Sequence, residues 1–241
     1  MRSDAVHRVL EEEIAEARRR RDGRPPRVLD VGGGSGVWAV PLASTGCEVT
    51  VVDPSPNALA TLQRRAADAG VAELITALQG DTEALHNYAP GGGADLVLGH
   101  GLLEYVDDVA TSVSSLVAAA APGGAVSVLV ANRYAAVLGR ALAGRVSDAL
   151  RLLHDPDGRL DGATDTVLRR FDGEQLRQRM QEAGLTVELV QGQDVFTDLV
   201  PGAVADGGAA ETLADLERGS AGRAPLRDIA ARLHAIGRVP S

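Results

Sequence analysis

Val28-Leu29-Asp30-Val31-Gly32-Gly33-Gly34-Ser35-Gly36 runs an apolar segment straight into a turn made almost wholly of glycine. A helical pattern follows at residues 37–44. Glycine permits positive φ and lets a ligand approach the backbone, and a helix N-terminus offers free N–H groups. A nucleotide-like ligand is therefore expected at this turn. Outward from it, short apolar runs at residues 48–52, 74–78, 95–98, 125–130 and 186–190 join residues 27–31 as strand candidates. Their near-continuous apolarity suits strands covered on both faces, as in a parallel sheet. Helical patterns at 56–69, 107–120 and 173–183 separate them. Ser55 and Pro56 open the first of these, and Gly70 and Gly184 stand where helices end. The alternation predicts a doubly wound α/β fold with a mostly parallel sheet and helices on both faces.

The rhythm breaks twice. Residues 132–172 exceed an ordinary connection and contain a helical stretch at 133–143 and a turn-rich segment at 154–158. Residues 201–241 add a glycine-rich link and two amphipathic stretches, 209–217 and 226–236. Neither region is long enough for a domain, so 1–241 reads as a single domain. Its parts are an N-terminal helix (1–26), a nucleotide-binding core (27–131), an insertion over the sheet's carboxyl edge (132–172) and a C-terminal part (173–241).

The 241 residues suffice for one large domain, and 45% apolar with 24% charged residues excludes disordered and collagen-like classes. The net charge is −9, and all 24 basic residues are arginine. An acidic balance with 2% aromatics argues against non-specific, stacking-based nucleic-acid binding. Without lysine there is no Schiff base and no P-loop. A single cysteine, Cys47, allows neither an internal disulfide nor a cysteine zinc cluster, and reads as a small buried residue. The start of the chain is too charged for a signal peptide, and no run approaches ~20 apolar residues. These features predict a cytoplasmic protein with no membrane span and no metal.

Four acidic or polar signals follow the strands in order. A dinucleotide fingerprint GxGxxG starting at Gly32 would place its third glycine at Val37, and Asp30 would be awkward beside a pyrophosphate. Asp53 ends the second strand, where a carboxylate can accept from both ribose hydroxyls. Asp81 and Thr82 follow the third. The fourth strand delivers Gly99-His100-Gly101-Leu102-Leu103-Glu104-Tyr105, with His100 the one acid–base candidate in this arc. Ala121-Pro122-Gly123-Gly124-Ala125 turns into the fifth.

The spacing Asp30-x-Gly32-x-Gly34-x-Gly36 and the ordered signals across residues 28–131 resemble the class I S-adenosylmethionine-dependent methyltransferases. Beyond the core, residues 131–138, Arg170-Phe171, 182–185, 195–198, 213–217 and 233–236 resemble the bacterial tRNA 5-carboxymethoxyuridine methyltransferase family. The resemblance implies a seven-stranded sheet of the Rossmann-like methyltransferase fold and S-adenosyl-L-methionine as cofactor, bound by Asp30, Gly32, Gly33, Gly34, Gly36, Asp53, Pro54, Asp81, Thr82 and His100. It makes 1–26 a lid, with Arg2 the cation beside the methionine carboxylate, although the family usually carries a longer N-terminal segment. By their places in the chain, His100 is the candidate for catalysis, and Arg133 at the start of the insertion and Tyr105 are the candidates for the acceptor. That family forms a methyl ester on a modified wobble uridine, so the acceptor is expected to be an oxygen, as a carboxylate, on tRNA or a small metabolite. A carboxylate is already ionised near neutral pH and needs no general base. The run Arg18-Arg19-Arg20-Arg21 reads either as an RNA contact or, more simply, as a solvated helix end. An NAD-dependent oxidoreductase, a small-molecule O- or N-methyltransferase and a non-catalytic cofactor-binding regulator or partner subunit remain as alternatives. The sequence leaves oligomeric state open.

Overall fold

The computed structural model describes residues 5–82, 85, 88, 93–160, 167, 169–200 and 208–240. Seven strands form one sheet: β1 (Arg27–Val31), β2 (Glu48–Asp53), β3 (Ile75–Gln79), β4 (Ala94–His100), β5 (Ala120–Ala131), β6 (Thr186–Gln193) and β7 (Arg232–Arg238). Their order is β3-β2-β1-β4-β5-β7-β6. The β1–β2, β1–β4, β2–β3 and β4–β5 pairs are parallel, and β7 runs antiparallel to both neighbours. The predicted α/β architecture is thus present, with one reversed strand.

Helices α1 (Ala5–Arg20), α2 (Ala39–Ser44), α3 (Pro56–Asp68), α4 (Val109–Ala119), α5 (Arg133–Leu142), α6 (Val146–His154), α7 (Gly173–Glu182) and α8 (Ala210–Ser220) pack around it. One core joins Leu10 and Ile14 of α1, Leu42 of α2 and Leu62 of α3 to Val49, Leu96, Leu98 and Leu129 on one sheet face. The other joins Leu116 of α4 and Leu176 and Met180 of α7 to Val97, Val126, Val128 and Leu233. Two apolar layers explain why the central strands read as continuous apolar runs. Cys47 is fully buried in the first core, as expected.

Local chemistry sets the boundaries. Ser55 caps α3 through Ala58 N–H, and Asp172 and Gln175 form a reciprocal capping box on α7. Asp108, rather than the expected Asp107, caps α4 by accepting from Ala110 and Thr111. Residues 226–236 do not form one amphipathic element: they hold a 3-10 turn, Arg227–Ile229, and the greater part of β7. Leu233 and Ala235 enter one core while Ile236 enters the other, and arginines at both strand ends give the segment its amphipathic look. In the insertion, α6 is a second helix that the sequence pattern did not announce.

The arginine run is engaged within the fold. Arg18 donates to Thr45 O (2.8 Å), Arg19 pairs with Glu16, and Arg21 lies 3.3 Å from Asp95, which also accepts from Arg27 N (2.8 Å). Among the described residues, no helix is long and apolar enough to cross a membrane, and no group of three or more His, Cys, Asp or Glu could hold a metal.

Candidate cofactor site

Strand order reverses direction between β1 and β4, and at such a switch point ligands sit outside the carboxyl ends of the strands. A cavity of about 400 Å³ opens there. The β1 end gives it Val31 and Gly32, the β2 end Val52, Asp53 and Pro54. The β3 end adds Gly80, Asp81 and Thr82, and the loop after β4 adds Gly101, Leu102, Tyr105 and Val106.

The glycine loop is tied from beneath. Gly32 N–H donates to Val52 O (2.7 Å), Gly34 N–H to Asp53 Oδ2 (2.9 Å) and Gly36 N–H to Gly33 O (3.0 Å). The expected free donors are therefore engaged at three glycines, and these N–H groups do not offer themselves to a pyrophosphate. Gly34 (φ +56°) and Gly36 (φ +78°) take left-handed conformations that favour glycine. A Cβ at Gly33 would overlap the Asp30 carboxylate. From α3, Arg65 holds the loop through Ser35 O (3.1 Å).

Asp53 is 8% exposed and works with both oxygens: Oδ2 accepts from Gly34 and Oδ1 from Ser55 N–H (2.8 Å). Each oxygen keeps a lone pair for a ligand hydroxyl. Asp30 is 1% exposed, and neither of its oxygens has a hydrogen-bond partner. Burial, reinforced by the neighbouring Asp53 charge, pushes its carboxyl up to about 7. An acid so placed is relieved by a cationic ligand.

His100 closes β4 directly before the lining residue Gly101 but does not itself line the cavity. Its Nε2 is 2.7 Å from Ser127 Oγ, its Nδ1 is buried without a partner, and its ring meets Trp38 edge-on with centroids 4.8 Å apart. His7 of α1 lies against the same tryptophan at 4.6 Å. Burial holds His100 well below the ordinary imidazole range, and His234, Arg232 and His7 push the same way.

The geometry collects Gly32, Asp53, Pro54, Asp81, Thr82 and Tyr105 around one cavity, while Asp30, Gly33, Gly34 and Gly36 belong to the adjoining strand end and glycine loop and do not line it. Tyr105, expected at the acceptor, is 55% exposed and stands at this cavity's rim. Arg133 does not join it. That side chain is 7% exposed, donates to Pro156 O and Gln175 Oε1 (3.1 Å), and lies 3.8 Å from Asp172, so it braces the insertion against α7. Arg2 falls outside the described residues. Sequence reasoning missed Glu104, 5% exposed, whose Oε1 accepts from Ala131 N–H (2.7 Å) while Oε2 is buried without a partner. A carboxylate inside an otherwise apolar loop was its only signal.

A family model described as a methyltransferase domain matches residues 3–190. The chain belongs to this methyltransferase-domain family. It is 35% identical over 112 residues to a ubiquinone biosynthesis O-methyltransferase of Methylocella silvestris, covering 44% of this chain and 40% of that protein. It is 30% identical over 120 residues to the tRNA 5-carboxymethoxyuridine methyltransferase of Escherichia coli K12, covering 49% and 45% respectively. The chain thus spans less than half the length of these curated relatives. Its fold is that of an S-adenosylmethionine-dependent methyltransferase from Mesorhizobium loti (TM-score 0.61, 20% identity, 98% of each chain). It also matches magnesium protoporphyrin IX methyltransferase from Synechocystis with bound S-adenosylhomocysteine (TM-score 0.60, 13% identity, 96% and 82%). Membership brings S-adenosylmethionine as the cofactor. The residues fit it: a buried, unpartnered Asp30 suits a ligand with a sulfonium and an ammonium, and the engaged glycine N–H groups do not ask for phosphate.

Proposed function

We propose that this protein is an S-adenosylmethionine-dependent methyltransferase acting on an oxygen nucleophile, with a carboxylate as the acceptor group. The unpartnered Asp30 beneath the glycine loop carries the reading, because it matches a cationic donor and opposes a dinucleotide. In this reading Asp53 takes the ribose hydroxyls and Asp81 with Thr82 closes the base end of the cavity. Leu102 and Tyr105 cover the nucleoside with apolar surface. The cofactor supplies an activated methyl group on its sulfonium. The chain's part is to align the attacking oxygen with that methyl and to exclude water. A carboxylate acceptor suits this division, since its oxygen is ionised at neutral pH and asks for no proton acceptor. The tRNA 5-carboxymethoxyuridine relative supports a modified uridine as the bearer of that carboxylate; a free metabolite with the same group is the second reading.

Calorimetric titration with S-adenosylhomocysteine and, separately, with NAD tests the donor. Saturable binding of the first with none of the second is expected. The reverse result makes the protein an oxidoreductase-type nucleotide binder.

A further inference from the structure

Four polar side chains form a continuous chain through the layer between the sheet and α1. Gln191 Nε2 lies 3.1 Å from Ala5 O and 3.0 Å from His234 Nδ1. His234 Nε2 lies 2.9 Å from Ser127 Oγ, and Ser127 Oγ lies 2.7 Å from His100 Nε2. His234 and Ser127 are 0% exposed and Gln191 is 7% exposed, so the chain is closed to water up to His100, which is half-buried.

The direction of each bond follows from the first. An amide nitrogen only donates, so Gln191 gives one hydrogen to Ala5 O and the other to His234 Nδ1. With Nδ1 accepting, a neutral His234 carries its proton on Nε2 and donates it to Ser127 Oγ. Ser127 then has its own hydroxyl hydrogen to give, and His100 Nε2 receives it. A neutral His100 must therefore carry its proton on Nδ1, the atom that is buried without a partner. Charging His100 would make Ser127 accept from both imidazoles and leave its hydrogen without an acceptor. The groups facing His100 are His234 and Arg232 from β7 and His7 from α1, whose positive charge, where they carry it, adds to burial in disfavouring a charged ring.

We propose that Gln191, His234 and Ser127 are positioning residues that lock His100 as a neutral Nδ1–H hydrogen-bond donor, not a base. An unsatisfied buried donor is unfavourable in the empty fold, and an acceptor atom brought by a ligand removes that penalty. The proposal rests on the methyltransferase reading only in taking that ligand to be the bound donor or acceptor molecule. Such a His100 cannot take a proton from an un-ionised hydroxyl, because one ring nitrogen is occupied by Ser127 and the other already bears hydrogen. It can steer an oxygen that arrives ionised.

The test is ¹H–¹⁵N spectroscopy of histidine-labelled full-length protein. His100 is expected as the Nδ1–H tautomer, unchanged from pH 8 to pH 6. Gln191→Glu supplies an acceptor in place of a donor at the head of the chain. It should reverse every bond and move the His100 proton to Nε2, although residue 191 never touches His100. Ser127→Ala should release the tautomer preference, and Ser127→Thr, which keeps the hydroxyl, should restore it. A His100 that carries its proton on Nε2 in the unmodified protein, that charges between pH 8 and 6, or that keeps one tautomer in all three variants overturns the proposal. If Gln191→Glu does not fold, the serine pair decides alone. Adding S-adenosylhomocysteine reports separately: failure to bind removes the methyltransferase reading and leaves the tautomer result standing.

Discussion

Asp30 joins the chemistry of the site to the stability of the fold. Its carboxyl sits at about 7 in the folded chain against about 3.8 in an exposed one, so the folded state holds more protons between those values. Stability contributed by this group is therefore fully present below about 4, falls as pH rises, and is lost above 7. Ligand binding runs the other way, because a cationic ligand prefers the ionised acid. Affinity for S-adenosylhomocysteine, whose ammonium is charged throughout, should rise about tenfold from pH 6 to pH 8, the change in the ionised fraction of one group titrating near 7. Calorimetry at the two pH values checks this. Asp30→Asn should abolish the slope, lower affinity at pH 8, and raise the melting temperature of the ligand-free protein at that pH. A variant that keeps the slope would place the titrating group elsewhere.

At the scale of elements, α1 is held to the far edge of the sheet by Arg238 of β7. Its guanidinium makes paired bonds of 2.8 Å to both oxygens of Glu13 on α1, and reaches Glu188 of β6 at 2.7 Å. The two carboxylates raise its pKa further above the arginine range, so it is charged at every accessible pH. Arg238→Ala leaves two acids facing each other, one of them 13% exposed. A loss of about 1–2 kcal/mol is expected, discounted for partial exposure, with a fall in melting temperature of about 3–6 °C. Hydrogen exchange should quicken in α1 and not in α3, which distinguishes a released helix from general weakening. The sequence made β1, β2 and the glycine loop legible because covered strands are apolar on both faces and the acid ends fall on a repeating plan. It hid β7 because seven residues bounded by arginines, with His234 between Leu233 and Ala235, carry no continuous apolar run. His234 is tolerated there only because Ser127 and Gln191, distant in sequence, meet it. Single polar residues inside apolar strands (Ser127 in 125–130, Gln191 after 186–190) were the one visible trace of that network. Their partners exist only once the strands are ordered side by side. Arg133 misled for a similar reason: its position at the start of the insertion suggested the acceptor, while its partners Asp172 and Gln175 lie some forty residues on.

For the whole molecule, charge decides how an RNA-borne acceptor could be approached. The net charge is −9, and the most concentrated basic run lies at the end of α1 and just past it, where Arg18, Arg19 and Arg21 already hold Thr45, Glu16 and Asp95. Binding through phosphates requires cations free to displace counterions, and each one adds to the steepness of the salt dependence. An acidic surface repels a polyanion over about one Debye length, ~8 Å at physiological salt. Recognition of a tRNA would then rest on the modified nucleoside inserted at the carboxyl edge of the sheet rather than on the backbone. Unmodified RNA should accordingly show no binding at ~10 μM protein in ~0.15 M salt, a concentration inside the ~1–100 μM range in which non-specific binders operate. RNA carrying a carboxylate-bearing uridine should bind with a shallow salt slope. Fluorescence anisotropy across a salt series measures both. Tight binding of unmodified RNA that collapses as salt rises would mean that a basic face forms in the folded protein, and that the arginines of α1 exchange their internal partners for phosphate.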